Sequence, residues 1–434
     1  MERCKRVLLV LAALLALPAL APVGLPALPG AAEPAIGGQP AFSGLEPSEA
    51  ITRLVALQEP LAADVFLEAA LSLSGAQGWE LEEARARVQA LAAEAAGLRA
   101  VSPRERAERL LEMLHRRVFR RYDERQTRLD VLLSTGRYNC VSSAVLYGLL
   151  ARSLDLEFRA VQTPDHAFIR VAESWDVETT NPYGFDPGSR RDFTDSFGRV
   201  TGYSYVPPGQ YGRRKELGDK GLLALILYNR NAYDTEAGRY PEALQPAVDA
   251  HALRQDPESR ERLVLSSLNV ASFYGQASRW EEGAGFLEEA GRWLDDPRLA
   301  KVREDLLHNW AVSLIEGGRL EEAQAMIDDR RARGELSERE WRSLGVSIWQ
   351  LRAREASRRD FGEAATLLSK ALESLGPEAG LASGYEVYAH NQMAALVNSG
   401  RLEEARGVLR EALRVLPGSS LLREDEARLA RRLP

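Results

Sequence analysis

A short signature recurs five times in the second half of this chain, and it limits the fold more than any other feature. It reads Gly238-Arg-Tyr-Pro-Glu-Ala, Ser278-Arg-Trp-Glu-Glu-Gly, Gly318-Arg-Leu-Glu-Glu-Ala, Arg359-Asp-Phe-Gly-Glu-Ala and Gly400-Arg-Leu-Glu-Glu-Ala, at steps of 40, 40, 41 and 41 residues. Nine residues before each copy stands an amide side chain: Asn229, Asn269, Asn309, Gln350 and Asn391. The intervening text is apolar at helical spacing. A fixed period of this size means stacked helical hairpins, because one hairpin cannot bury its apolar face alone. In the repeat Gly, present in three copies, permits a tight turn, the aromatic or Leu that follows packs inward, and Glu-Ala opens the second helix. The charged end, 420–433, is expected to cap the array.

The chain has 434 residues, enough for two domains or more. Its formal charge of -7 argues against nucleic acid as a partner. Residues 1–32 read as an export signal: Arg3, Lys5 and Arg6 precede an apolar run from Val7 to Leu20, and Gly30, Ala31 and Ala32 offer a small-residue cleavage site. The rival reading is an uncleaved membrane anchor, although Pro18, Pro22, Pro26 and Pro29 interrupt the run. Cleavage would remove three basic residues and Glu2, taking the charge to -9, and the protein would be exported, periplasmic or extracellular, with no stable membrane insertion. Residues 33–47 have linker composition. The rest divides into a head over 48–215 and the repeats over 216–434.

Within the head, segments 49–74, 79–99 and 103–122 carry helical periodicity, and Ser102-Pro103 is a helix start. An apolar helix is expected from Cys140, capped by Asn139. Two strands follow at Phe158–Gln162 and His166–Val171, then a third extended run from Trp175 to Thr180. A helix followed by an antiparallel meander is an α+β pattern. Residues 181–212 read as an aromatic-rich loop. Its Tyr183, Phe185, Phe193, Phe197, Tyr203, Tyr205 and Tyr211 are expected to pack the head onto the first repeat rather than form a lid.

The cysteines are Cys4 and Cys140, so cleavage of the signal leaves Cys140 alone. An exported chain with one cysteine makes no internal disulfide; the thiol is an inert core residue, an intermolecular bridge or a nucleophile. A nucleophilic cysteine needs stabilisation of its thiolate, a base in reach and a group that orients the base. Cys140 opens a helix, where unpaired N–H groups favour negative charge. His166 follows 26 residues later on a strand, and Asp176 and Glu178 lie on the next. Either carboxyl could orient the imidazole. His115, His251, His308 and His390 sit in helical segments with no such pattern nearby, and the sequence carries no metal-ligand spacing and no cofactor fingerprint.

The text around these residues is Tyr138-Asn-Cys140-Val-Ser-Ser, then Asp165-His166-Ala-Phe-Ile-Arg-Val, then Trp175-Asp-Val-Glu-Thr-Thr. Over roughly 115–212 it resembles the transglutaminase-like superfamily, which shows a cysteine opening a helix, a His-aromatic pair on a strand and a hydrophobic-Asp-x-Thr pattern on the next. Papain-like peptidases share the order Cys, His, acid. The resemblance implies an α+β papain-like core, a catalytic Cys140 and His166, and an acyl-thioester intermediate passed to water or to an amine. Aligned on the family pattern, Val177-Glu178-Thr179-Thr180 selects Glu178 as the third residue, whereas residue type selects Asp176. Here Phe168-Ile169 replaces the family's second aromatic after the histidine. The repeats resemble tetratricopeptide (TPR) repeats, although their period exceeds that family's 34 residues. An all-α TPR-like solenoid implies recruitment of a protein or peptide partner. The rival to an enzyme is a scaffold whose head keeps the fold without the chemistry.

Overall fold

The computed structural model of the protein describes residues 45–187, 199 and 214–431. The expected export signal, most of the expected linker and the aromatics from Phe193 to Tyr211 lie outside them. The described chain is mostly helical with a small antiparallel sheet, an α+β arrangement.

Helices α1 (Glu49–Ala56), α2 (Ala63–Ser74), α3 (Trp79–Ala95) and α4 (Pro103–Arg117) open the head. The helix expected over 49–74 is thus two. The residue before Pro60 is pushed off the helical region, and the chain breaks there. The next strand, β1 (Arg121–Tyr122), takes the residues expected to end α4, and it pairs in parallel with β2 (Arg137–Tyr138) across helix α5 (Leu129–Thr135). Sequence periodicity missed α5, β1 and β2, since seven and two residues are too few to establish a period.

Helix α6 (Cys140–Ser153) is the centre of the head. Every residue from Val141 to Ala151 is buried, as expected for a helix apolar on all sides. It packs on α2, α4 and α5 and on strands β3 (Phe158–Gln162) and β4 (Ala167–Val171). With β5 (Trp175–Val177) and β6 (Lys215–Leu217), these strands form one antiparallel sheet in the order β5-β4-β3-β6. Strand β6 is a further element the sequence did not signal. Ala167, Ile169, Val171 and Val177 alternate onto the side that joins the core around α6.

The second half begins with α7 (Asp219–Glu236), α8 (Tyr240–Arg254), α9 (Pro257–Gln276) and α10 (Trp280–Trp293). It continues with α11 (Pro297–Glu316), α12 (Leu320–Ala332), α13 (Glu338–Ser357), α14 (Phe361–Leu375), α15 (Ala379–Asn398) and α16 (Leu402–Val415). Each helix packs on its sequence neighbours, and from α9 onward the first helices of successive pairs also touch, which makes a stack of hairpins. Helix α17 (Ser420–Ala430) closes the stack against α15 and α16.

All five signatures fall at the turn inside a pair. Gly238, Ser278, Gly318 and Gly400 hold φ of 74°, 56°, 72° and 78°, a left-handed region that favours glycine. The fourth copy uses a different device: Asp360 caps α14 by accepting hydrogen bonds from the N–H groups of Gly362 and Glu363. The small residue of the signature is buried each time, at Ala243, Gly283, Ala323, Ala364 and Ala405, where neighbouring helices approach. The preceding large residue is less constrained than expected, since Leu320 is buried while Phe361 is exposed. Gly407, exposed in α16, has no atom within 4 Å of where a Cβ would sit. Gly407→Ala should therefore raise stability by about 0.5–1 kcal/mol, read as a higher midpoint in thermal unfolding.

The head and the first pair share a core. One buried cluster runs from Ile51 to Leu253 and includes Leu222 to Tyr228 of α7. Polar ties cross the same joint: Asp219 accepts from the Leu61 N–H at 2.6 Å and pairs with Arg152 at 2.6 Å, and Arg254 donates to the Gln162 side chain at 2.7 Å. Among the described residues no helix is long and apolar enough to cross a membrane.

Candidate active site

Cys140 is the first residue of α6 and is half-buried. Asn139 caps the helix. Its Oδ1 accepts from the N–H groups of Val141 and Ser142 at 3.0 and 2.9 Å, and Ser142 Oγ accepts in return from the Asn139 N–H at 3.0 Å. This capping box satisfies two orphan donors of the first turn. The Cys140 N–H, one position earlier, has no intrahelical acceptor and points along the positive end of the helix.

His166 stands at the mouth of the β3–β4 hairpin, where its carbonyl accepts from the Thr163 N–H at 2.8 Å. Its imidazole joins two groups that lie far apart in sequence. Cys140 is close enough to act on the imidazole's charge, and the ring Nε2 lies 2.5 Å from Glu178 Oε2. With Nε2 committed to the carboxylate, Nδ1 is the ring nitrogen left for the sulfur. Burial pushes the imidazole toward its neutral form, but the Glu178 charge, the nearby Cys140 and the hydrogen bond to Glu178 outweigh it, so the pKa stands well above the ordinary value.

Glu178 is 4% exposed, and both its oxygens are engaged. Oε1 accepts from the Thr180 N–H at 3.2 Å and from Thr180 Oγ1 at 2.7 Å, which leaves Oε2 for His166. Asp176, equally eligible by residue type, is turned elsewhere. It is bound by Arg170 at 2.9 Å and by Arg214 at 2.8 Å. The strand register explains the difference. Asp176 lies directly across from Arg170, and His166 is four residues further along, about 13 Å at the rise of a strand. Glu178 is two residues closer.

The turn that carries Glu178 is itself held from three directions. Thr179, Thr180 and Asn181 are fully buried. Thr179 Oγ1 shares a hydrogen bond with Ser143 Oγ at 2.8 Å, one turn along α6 from Cys140. The Tyr138 hydroxyl donates to the Thr180 carbonyl at 3.2 Å, and His115 Nε2 lies 3.1 Å from the Thr179 carbonyl. Burial pushes the His115 imidazole down to about 4, against the pull of that carbonyl and the Glu178 charge. It is therefore neutral near pH 7, with the proton on Nε2. No spacing rule could reveal this role for His115, because its partner lies 64 residues away.

No protein-family model and no curated protein matches this chain.

Two other histidines also find carboxylates that the sequence reading did not give them. His308 pairs with Glu340, and His390 Nδ1 lies 2.5 Å from Asp425. The first pair joins the first helices of two successive hairpins, and the second joins α15 to the closing helix α17. Of the aromatic loop, Phe185 is buried and Tyr183 is 48% exposed. Among the described residues no group of three or more His, Cys, Asp or Glu side chains could hold a metal ion.

Proposed function

We propose that this protein is a transglutaminase-like cysteine enzyme acting on amide or peptide bonds. The observation that carries the reading is the single imidazole set beside Cys140 on one side and joined to a buried, fully engaged Glu178 on the other. A protonated imidazole beside the sulfur is the form such an arrangement favours. The Cys140 sulfur attacks the amide carbonyl carbon, and the Cys140 N–H is placed to donate to the developing oxyanion. His166 gives its proton to the departing amine, and the C–N bond breaks to leave an acyl-thioester. The neutral imidazole then takes a proton from water or from an acceptor amine as that nucleophile attacks the acyl carbon, and the C–S bond breaks to release the Cys140 sulfur and the acyl product. Glu178 keeps the ring oriented and stabilises its charged form, and Asp176 is assigned a structural role with Arg170 and Arg214.

The α+β head, with a cysteine opening its central helix beside an antiparallel sheet, supports a papain-like core. The stacked hairpins support a TPR-type array that recruits a protein or peptide partner. The basic start and apolar run within residues 1–32 support an export signal, and with it a reaction outside the cytoplasm. Alkylation of Cys140 by iodoacetamide tests the enzymatic reading. The wild-type thiol should react about a hundredfold faster than that of His166→Ala at about pH 6, since acid–base partners contribute effects of that order. Equal, ordinary rates in both would favour the scaffold reading. A peptide-amide electrophile that traps the acyl-enzyme in wild type and not in Cys140→Ala would identify the substrate.

A further inference from the structure

The repeat array reaches the cap of the nucleophile helix. Tyr233 lies on α7, the first helix of the array, yet its hydroxyl sits in the head. It donates to the Glu124 carbonyl at 2.6 Å and accepts from Asn139 Nδ2 at 3.4 Å. Asn139 Nδ2 donates to the same carbonyl at 3.1 Å. A tyrosine hydroxyl, an asparagine amide and one backbone carbonyl thus close a small ring of hydrogen bonds beside Cys140. The ring decides which way the Asn139 amide faces. Its nitrogen is held toward Glu124 and Tyr233, and its oxygen is thereby left for the N–H groups of Val141 and Ser142. Burial holds the Tyr233 phenol above its ordinary pKa, and the charge of Cys140 adds to this, so the hydroxyl stays protonated.

We propose that Tyr233 is a positioning residue for the Cys140 nucleophile, so that the repeat array supplies part of the active site as well as a surface for partners. The proposal rests on the enzymatic reading above. Without the Tyr233 hydroxyl the Asn139 amide loses one of its two orienting partners. The first turn of α6 loosens, and the helix end that favours negative charge at Cys140 weakens.

The test uses full-length protein and the iodoacetamide rate of Cys140 between about pH 6 and about pH 9, where thiolate stabilisation is most and least visible. Tyr233→Phe should slow the reaction about fivefold at the acidic end, the size of one lost hydrogen bond, with the alkaline rate unchanged. Asn229→Ala serves as the control. It removes another tie of α7 to the head, the 3.1 Å hydrogen bond to Thr127 Oγ1, and should leave the profile as in wild type. A Tyr233→Phe profile superimposing on wild type overturns the proposal, as does an equal loss in Asn229→Ala, which would mean that α7 acts only by docking. Should wild type and His166→Ala react alike, the enzymatic reading fails and takes this proposal with it. That result is distinct from a fast wild type matched by an equally fast Tyr233→Phe.

Discussion

Glu178→Gln should lower the pKa of His166 steeply and slow alkylation of Cys140 at neutral pH by about a hundredfold, while Asp176→Asn leaves both nearly unchanged. Glutamine keeps the size of the side chain but has one acceptor oxygen, so it can accept from Nε2 or from the Thr180 N–H and not from both. What disappears is the negative charge and one acceptor. Burial already pushes the imidazole toward neutrality, and only the Glu178 charge, the nearby Cys140 and the hydrogen bond to Glu178 reverse that. Following the ring carbons by NMR as the pH is raised reads the pKa directly. Stability gives an independent measure. A folded pKa raised above the unfolded value of about 6.5 contributes stability that is complete below that pH and fades as the pH rises through the folded pKa. In Glu178→Gln this loss on the alkaline side should largely vanish. Asp176→Asn should cost about 1–2 kcal/mol instead, because it leaves Arg170 and Arg214 short of a buried charged partner. If Asp176→Asn proved the slower of the two, the assignment of Glu178 would be wrong.

Gly184→Ala should be the most disruptive single-methyl change in the head. A Cβ at Gly184 would lie 2.0 Å from the Glu178 carbonyl oxygen and 2.9 Å from that of Asn181. Both obstacles are backbone, so no side chain can swing away. The turn must open, although it is closed by the Glu178 N–H on the Gly184 carbonyl at 2.7 Å and the Gly184 N–H on the Asn181 carbonyl at 3.0 Å. The expected cost is about 3 kcal/mol, at the upper end for a point substitution. Because Glu178 moves with the turn, the rate of Cys140 alkylation should fall about tenfold even in the folded fraction. Denaturant unfolding and the iodoacetamide rate separate the two effects. A Gly184→Ala protein as stable and as reactive as wild type would mean that the turn does not hold the carboxylate.

Local text was enough for the elements that carry their own signals. The five turn signatures mark the hairpins because a left-handed turn residue, or in the fourth copy the Asp360 cap, and a buried small residue are requirements of adjacent chain. Asn139-Cys140 marks the start of α6 because a helix cap is satisfied within three residues. The order of Cys140, His166 and the two acids was equally plain. Short pieces such as β6 were not, since three residues carry no period.

Selection among the chemically equivalent groups belonged to the tertiary structure. Asp176 and Glu178 differ by two residues and share a charge, and the pairing of β4 with β5 gave one to Arg170 and the other to His166. His115, Tyr233 and Gly184 have ordinary sequence surroundings, and each is tied to the site by an atom that chain folding brings to it. Sequence by itself determined which residue types were present and in what order along the helix and strands, because those follow from propensity and capping over a few residues. Only the packed structure decided which carboxylate meets the imidazole and what holds it there, because hydrogen bonds act over about 3 Å of space regardless of distance along the chain.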